Sequence, residues 1–187
     1  MTGLNIEKDS ILEIACIITD KSLKIITEEF NVVINHSDEV LENMNEWCMN
    51  THYKTGLVQE CKSSTTSLKE AEQMFLNYVK KYIPKNTCPI AGNTVYNDRL
   101  FLRKYMPLVS DYFHYRIIDV STIKELTRMW YPKIFENSPK ESHKAKCHHR
   151  AFCIYNCSGN IFNIKITKTD CIFKTFLIQY IFLRSNI

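Results

Sequence analysis

Apolar and β-branched residues dominate two neighbouring segments near the start of the chain. The first extends from Ile11 to Asp20 and the second from Leu23 to Asn35. The polar sequence Asp20-Lys21-Ser22 between them is typical of a turn. Because two such runs joined by a short polar turn indicate antiparallel strands, we predict that a β-hairpin opens the domain.

Helical spacing of the apolar residues follows the predicted hairpin. A first helical segment extends from Ser37, its predicted N-cap, to about Lys62. A clearer helix covers Leu68 to Ile83, with Ser67 as its N-cap and Pro84 as its stop. One face of this helix is apolar and is predicted to lie in the core: Ala71, Met74, Phe75, Tyr78, Val79 and Tyr82.

Strands and helices alternate in the second half of the chain. The predicted elements are a short strand over Pro89–Asn93, a helix over Asp98–Tyr105, a buried strand over Tyr115–Val120, and a helix over Thr122–Trp130, capped by Ser121 and ended by Tyr131-Pro132. A hairpin followed by this alternation predicts an α/β fold, in which helices pack against a mixed sheet.

Size and composition indicate one globular domain. Of the 187 residues, 45% are hydrophobic and 24% are charged, which is ordinary for a globular protein and favours neither a disordered nor a fibrous one. No uninterrupted apolar run reaches the roughly 18 residues of a membrane helix, and the net charge of +4 is a weak indication of an anionic partner. Eight irregularly spaced cysteines without a preceding signal peptide predict reduced thiols, with Cys16 in the core.

Several blocks of sequence carry more specific information. The blocks Gly92–Leu102, Lys104–Pro107 and His114–Thr122 follow one another, and Met1–Leu4 agrees with them in order. Together they resemble the oligoribonuclease family over residues 1–132. The resemblance implies a ribonuclease H-like exonuclease fold, with a mixed sheet flanked by helices. It also implies a homodimeric 3′-to-5′ exoribonuclease that degrades RNA of a few nucleotides.

The resemblance implies a catalytic centre of the DEDDh pattern, in which four acids hold two Mg²⁺ or Mn²⁺ ions. Asp98 corresponds to the third acid and is the expected metal ligand. The fifth residue of the pattern is a histidine that acts as general base. His149 corresponds to it, because His149-Arg150-Ala151 matches the start of the family's H-R-A-L-D-D-I motif.

Two departures from the family pattern affect this centre. The family's first two acids lie on its first, central strand, immediately before Met-Thr-Gly-Leu, whereas this chain begins at that methionine. Ile154 replaces the fourth acid, and if Ser142–Ala145 is aligned with the motif instead, His148 takes that position. With three of four metal-binding acids absent, we expect hydrolysis to be strongly reduced or lost.

Substrate binding is better preserved in the sequence. The resemblance assigns it to Leu4, Thr94, Tyr115, Arg116, Ser121 and Lys124. Leu4 would wedge against a terminal base, with a tyrosine equivalent to Tyr115 from the second subunit stacking on the other side. Arg116, Ser121, Lys124 and Thr94 would surround the 5′ phosphate. From the residues alone, Tyr115 and Arg116 simply lie at the edge of a strand. The structural and the substrate-binding interpretations both stay open.

The composition changes where the family motif ends. Of the 20 acidic residues, 19 lie in residues 1–151 and only Asp170 lies in residues 152–187. We therefore predict an incomplete exonuclease domain over residues 1–151, lacking the first (central) strand, and a non-family tail over residues 152–187, as in a truncated isoform. Zinc binding by Cys147, His148, His149, Cys153 and Cys157 is an alternative that their spacing disfavours.

The sequence leaves two functions open. The first is an impaired exoribonuclease that acts on short RNA in the cytoplasm or in mitochondria, as a homodimer and without a membrane partner. The second is a catalytically dead protein that binds short RNA or dimerises without cutting. A third possibility is that the chain does not fold stably.

Overall fold

The protein is described by a computed structural model that covers residues 1–137 and the backbone of residues 152–155. This part of the chain contains five strands and eight helices. In chain order they are β1 (Glu13–Thr19), β2 (Phe30–Val33), α1 (Asp38–Glu42), α2 (Glu46–Lys54), α3 (Leu57–Ser63), α4 (Leu68–Tyr82), β3 (Ile90–Gly92), α5 (Val95–Tyr105), α6 (Pro107–Ser110), β4 (Ile117–Asp119), α7 (Val120–Trp130), α8 (Pro132–Glu136) and β5 (Phe152–Tyr155). Within the described residues, no helix is long and apolar enough to cross a membrane.

The predicted hairpin is present, but its second strand is shorter than the sequence suggested. β1 and β2 pair antiparallel. Between them, the Asp20 carboxylate accepts hydrogen bonds from the backbone N–H of Ser22 at 2.8 Å and of Lys24 at 3.0 Å. Leu23 has a φ of 66°, which no extended strand allows. The chain therefore leaves the turn as a loop and forms a single bridge, from Thr19 to Ile25, before β2.

β5 occupies the centre of the sheet, whose strand order is β2-β1-β5-β3-β4. It pairs in parallel with β1, with Ile154 opposite Ile18, and antiparallel with β3, with Ile154 opposite Ile90. β3 and β4 pair in parallel. The mixed sheet with its helices confirms the predicted fold class. Since β1 and β3 share no ladder in the described part of the chain, β5 is the strand that joins the two halves of the sheet.

Helix α4 shows how closely the local sequence determines local structure. Ser67 Oγ accepts the Glu70 N–H at 3.3 Å and the Ser67 N–H donates to Glu70 Oε2 at 2.8 Å, which completes a capping box. Five of the six residues predicted to face the core are buried or partly buried there, whereas Met74 is 47% exposed and its assignment was wrong. Met74 lies at the margin of the apolar face, where the core no longer covers it.

The buried apolar side chains of the described residues form two clusters. The larger cluster includes Ile14, Cys16 and Ile18 of β1 together with Phe75 of α4. The smaller cluster joins Leu12 to apolar residues of α1, α2 and α3. The single helical segment predicted for residues 37–62 is therefore three short helices. Each of them packs part of its length on this second core.

The second half of the chain differs from the prediction at its helix ends. α5 begins at Val95 rather than Asp98, and α7 begins at Val120 with Asp119, not Ser121, as its N-cap. The strand β4 covers three half-buried residues instead of a fully buried run. Helices α6 and α8 were not predicted, and both begin at a proline, which is favoured at the first position of a helix.

Proline at position 154 tests the role of β5. Ile154→Pro removes an N–H from a strand that is paired on both sides, and leaves an unpaired carbonyl on a neighbour. We expect the free energy of unfolding to fall by at least about 1–3 kcal/mol. Thermal unfolding followed by circular dichroism measures it. Lys21→Pro, at a turn position where proline is favoured, is the control. Equal melting temperatures for the two variants would show that β5 does not join the sheet.

Removing the α4 cap tests the local prediction. Ser67→Ala should lower the free energy of unfolding by about 0.5–2 kcal/mol. Hydrogen bonds from the Ser67 backbone and side chain lower the pKa of Glu70 below its ordinary value of 4.5. The stabilisation that the ionised Glu70 carboxylate gains from Ser67 is therefore present above pH 4.5. It is lost as the pH falls through the lower, folded-state pKa of Glu70. Urea unfolding at pH 7 and pH 3 should show a smaller difference at pH 3, with Thr65→Ala as an exposed control; a difference independent of pH would refute the linkage.

Candidate functional site

Asp98 lies on the buried face of α5. Val95, Phe101 and Leu102, which are three or four residues away along the helix, belong to the main core. Asp98 is fully buried, and neither of its carboxylate oxygens has a hydrogen-bond partner among the described residues. Burial raises its pKa well above the ordinary value of 3.8, and the charge of Asp119 acts in the same direction. A buried carboxylate whose two oxygens accept no hydrogen bond from the described residues has the chemistry of a cation ligand.

The described residues do not fit a complete two-ion centre. Such a centre needs several carboxylates converging on two cations, and no group of three or more metal-ligating side chains lies together within residues 1–137. Asp119 already has hydrogen-bond donors on both of its carboxylate oxygens. Position 154, where the family has its fourth acid, lies in β5 opposite Ile18 and Ile90. Among residues 1–137, Asp98 is the only buried carboxylate whose two oxygens both lack a hydrogen-bond partner.

Asp119 ties together the loops that precede α5 and α7. Its Oδ1 accepts the backbone N–H of Thr94 at 2.9 Å and that of Ser121 at 3.0 Å. Its Oδ2 accepts the N–H of Tyr96 at 3.3 Å, and the Ser121 hydroxyl also donates to Oδ1. Thr94 and Ser121, which the resemblance assigns to substrate binding, are therefore neighbours. Sequence reasoning assigned no role to Asp119, although an aspartate directly before a helix is a standard cap signal.

Tyr115 and Arg116 form an exposed pair just before β4. Tyr115 is 68% exposed, which is far more than an aromatic ring in a core retains. The Arg116 guanidinium carbon lies 5.4 Å from the centre of the Tyr115 ring, and the His114 ring lies 4.4 Å from it on a tilted plane. The backbone N–H of Arg116 donates a hydrogen bond to His114 Nδ1 at 3.2 Å. An exposed aromatic ring beside a guanidinium suits a base and its phosphate.

The segment with Leu4 is held by Asp9, a second residue that sequence reasoning missed. Asp9 accepts hydrogen bonds from the Thr2 hydroxyl at 2.9 Å and from the Asn5 N–H at 2.7 Å. A Cβ atom on Gly3 would lie 2.5 Å from Asp9 Oδ2, so any larger residue there would displace the Asp9 carboxylate. Leu4 is partly buried against the main core. Contacts with the core and the hydrogen bonds of Asp9 therefore hold this segment in place.

The remaining predicted site residues divide into two groups. Lys124 is half-buried in α7, one turn after Ser121. His149 and most of the alternative zinc cluster, Cys147, His148 and Cys157, lie outside the described residues, and of Cys153 only the backbone is described. The structure thus brings Thr94 and Ser121 together through Asp119, and it places Tyr115 beside Arg116. The general base stays a prediction.

The chain is similar to known exonucleases over most of its length. The exonuclease family model matches residues 1–153. The chain is 57% identical over 142 residues to a probable oligoribonuclease of Drosophila melanogaster, a match that covers 76% of this chain and 67% of the relative. It is 54% identical over 151 residues to a probable oligoribonuclease of Dictyostelium discoideum, which covers 81% of this chain and 76% of the relative.

A human relative extends the comparison. The chain is 51% identical over 147 residues to the mitochondrial oligoribonuclease of Homo sapiens, covering 78% of this chain and 62% of the human protein. The resemblance predicted from the sequence blocks is confirmed. This chain therefore belongs to the oligoribonuclease family of exonucleases, which are hydrolases that act on RNA.

Proposed function

We propose that this chain binds very short RNA oligonucleotides at their 3′ end and hydrolyses them only weakly. The observation that carries the proposal is the exposed pair of Tyr115 and Arg116. The oligoribonucleases with which the chain shares about half of its residues support RNA as the ligand. The family relationship supports cleavage from the 3′ end toward the 5′ end.

The binding chemistry follows from the exposed groups. A base stacks on the Tyr115 ring, since the π-face of any base suits an aromatic side chain. The Arg116 guanidinium presents a planar set of donors that matches a phosphate. Leu4 contacts the terminal base from a fixed position on the core, and Lys124 adds positive charge near the 5′ phosphate. In the homodimer that we propose, Tyr115 of one protomer completes the Leu4 site of its partner.

The chemical step is where we expect the chain to be weak. Exonucleases of this family use divalent metal ions, but the residues described here contribute Asp98 alone as a suitable ligand. One carboxylate does not hold two cations. His149 retains its proposed role as general base, which an imidazole fulfils near neutral pH. Without two bound cations, that base lacks an activated water to deprotonate.

A second candidate function has support from the same observation. A protein that captures short RNA or dimerises without cutting needs Leu4, Tyr115 and Arg116 but no metal ligand. The exposed ring of Tyr115 favours this candidate equally, and the absence of turnover with retained binding would establish it. Both candidates place the protein in the cytoplasm or in mitochondria. The human relative is named a mitochondrial oligoribonuclease.

The Tyr115 side chain provides the first test. We expect the full chain to bind a dinucleotide, and Tyr115→Ala to weaken binding by about 1–3 kcal/mol because one stacked base is lost. Isothermal calorimetry measures the affinity, with Tyr53→Ala as a control at a similarly exposed tyrosine on α2. Incubation with a labelled dinucleotide and Mn²⁺ should give little product. Rapid turnover would refute the weak chemical step, and unchanged affinity in Tyr115→Ala would refute the binding site.

Asp98→Asn tests the proposed metal ligand. Its raised pKa means that Asp98 stabilises the folded protein most below about pH 4 and that this stabilisation is lost as the pH rises through the folded-state pKa. In EDTA at pH 7, Asp98→Asn should therefore raise the free energy of unfolding, because the substitution removes a buried group that ionisation makes unfavourable.

The same variant separates metal binding from burial. Mn²⁺ should raise the melting temperature of the unchanged protein and leave that of Asp98→Asn where it was. Asp111→Asn, at an exposed aspartate, should behave as the unchanged protein does. An equal response to Mn²⁺ in all three proteins would mean that Asp98 is not a metal ligand.

A further inference from the structure

The beginning of α5 lacks a cap of its own. Thr94 is the N-cap residue of this eleven-residue helix, and its side chain makes no capping hydrogen bond. Its backbone is in the left-handed region, with a φ of 55° and a ψ of 30°, which is costly for a β-branched residue. Such a conformation persists only where its surroundings hold it. The N–H groups at this helix end therefore need an acceptor from elsewhere in the chain.

Asp119, which follows Thr94 by 25 residues, supplies that acceptor. Its Oδ1 takes the Thr94 N–H at 2.9 Å and its Oδ2 takes the Tyr96 N–H at 3.3 Å. Asp119 is at the same time the N-cap of α7, because Oδ1 also takes the Ser121 N–H at 3.0 Å. One carboxylate thus caps two helices, and its negative charge is favourable at both positive helix ends.

The Ser121 hydroxyl belongs to the same network. It donates its single proton to Asp119 Oδ1, and its oxygen accepts the Thr94 N–H at 3.3 Å. A hydroxyl that already donates its proton cannot donate it to a phosphate as well. Ser121 therefore shares in fixing the two helix ends, which leaves the cationic side chains of Arg116 and Lys124 to attract a phosphate.

We propose that Asp119 is a positioning residue for the substrate site. Through its two oxygens it fixes the start of α5, which carries Asp98, against the start of α7, which carries Ser121 and Lys124. It acts on these helices and not on the substrate itself. The role in binding rests on the proposed function, whereas the double capping does not depend on it.

The two oxygens of Asp119 can be separated by substitution. In Asp119→Asn the remaining carbonyl oxygen can still accept hydrogen bonds from Thr94 and Ser121. The new NH₂ group then faces the Tyr96 N–H, and because both groups are donors, no hydrogen bond forms between them. In Asp119→Ala all these acceptors are lost. We therefore expect Asp119→Asn to loosen the start of α5 selectively and Asp119→Ala to loosen both helix ends.

Hydrogen exchange of the full chain, read by mass spectrometry, tests the double cap. Asp119→Ala should speed exchange about tenfold in residues 94–97 and in residues 120–123, in line with the loss of an N-cap. Asp119→Asn should do so in residues 94–97 only. Peptides from α4 report global stability, and Thr122→Ala, an exposed neighbour, is the control. Unchanged exchange at both helix ends in Asp119→Ala would overturn the proposal.

Calorimetry with a 5′-phosphorylated diadenylate and with its unphosphorylated form tests the effect on the site. We expect Asp119→Ala to lose about tenfold in affinity for both, and Asp119→Asn to lose less, in proportion to the loosened helix ends. If the unchanged protein binds neither compound, the proposed function fails while the exchange result still decides the double cap. If binding is normal in Asp119→Ala despite faster exchange, Asp119 has only a structural role. If Asp119→Asn binds the phosphorylated compound more tightly, Asp119 faces the substrate and the positioning role is wrong.

Discussion

Exclusion of water from the space between β1, α4 and α5 is the constraint on which the rest of the structure depends. Alternate residues of β1, Ile14, Cys16 and Ile18, are fully buried and belong to the same apolar cluster as Phe75 of α4 and Val95 and Phe101 of α5. Burial of apolar surface is the main favourable term in the free energy of folding. It also determines where the chemistry of this protein can take place.

The same dry core gives Asp98 its unusual state. Helical geometry puts Asp98 on the face of α5 that carries Val95, Phe101 and Leu102, so the carboxylate is buried with them. Its oxygens have no partner among the described residues, and burial raises its pKa. A buried carboxylate of this kind destabilises the folded protein when it is ionised, unless a cation joins it. The buried position of Asp98 therefore costs stability whenever the carboxylate is ionised without a cation.

Binding and hydrolysis make different demands on this scaffold. The binding that we propose uses Tyr115 and Arg116, which are exposed before β4, and Leu4, which is partly buried against the core beside the hydrogen bonds of Asp9. Hydrolysis depends on several carboxylates meeting at one point, and the described part of the chain provides one. Asp119, at the end of β4, links the two regions because it touches the starts of both α5 and α7.

The sequence by itself determined the local features, because these depend on neighbours along the chain. The hairpin, the capping box of Ser67 and Glu70, the amphipathic face of α4 and the family relationship all follow from residues a few positions apart. Only the tertiary structure decided the features that join distant segments. Asp119 caps a helix that begins at Val95, the central place of β5 depends on its pairing with β1 and β3, and the burial of Asp98 depends on what covers α5. Hydrogen bonds and burial between segments far apart in sequence leave no periodic signal in the chain, so no pattern of neighbouring residues predicts them.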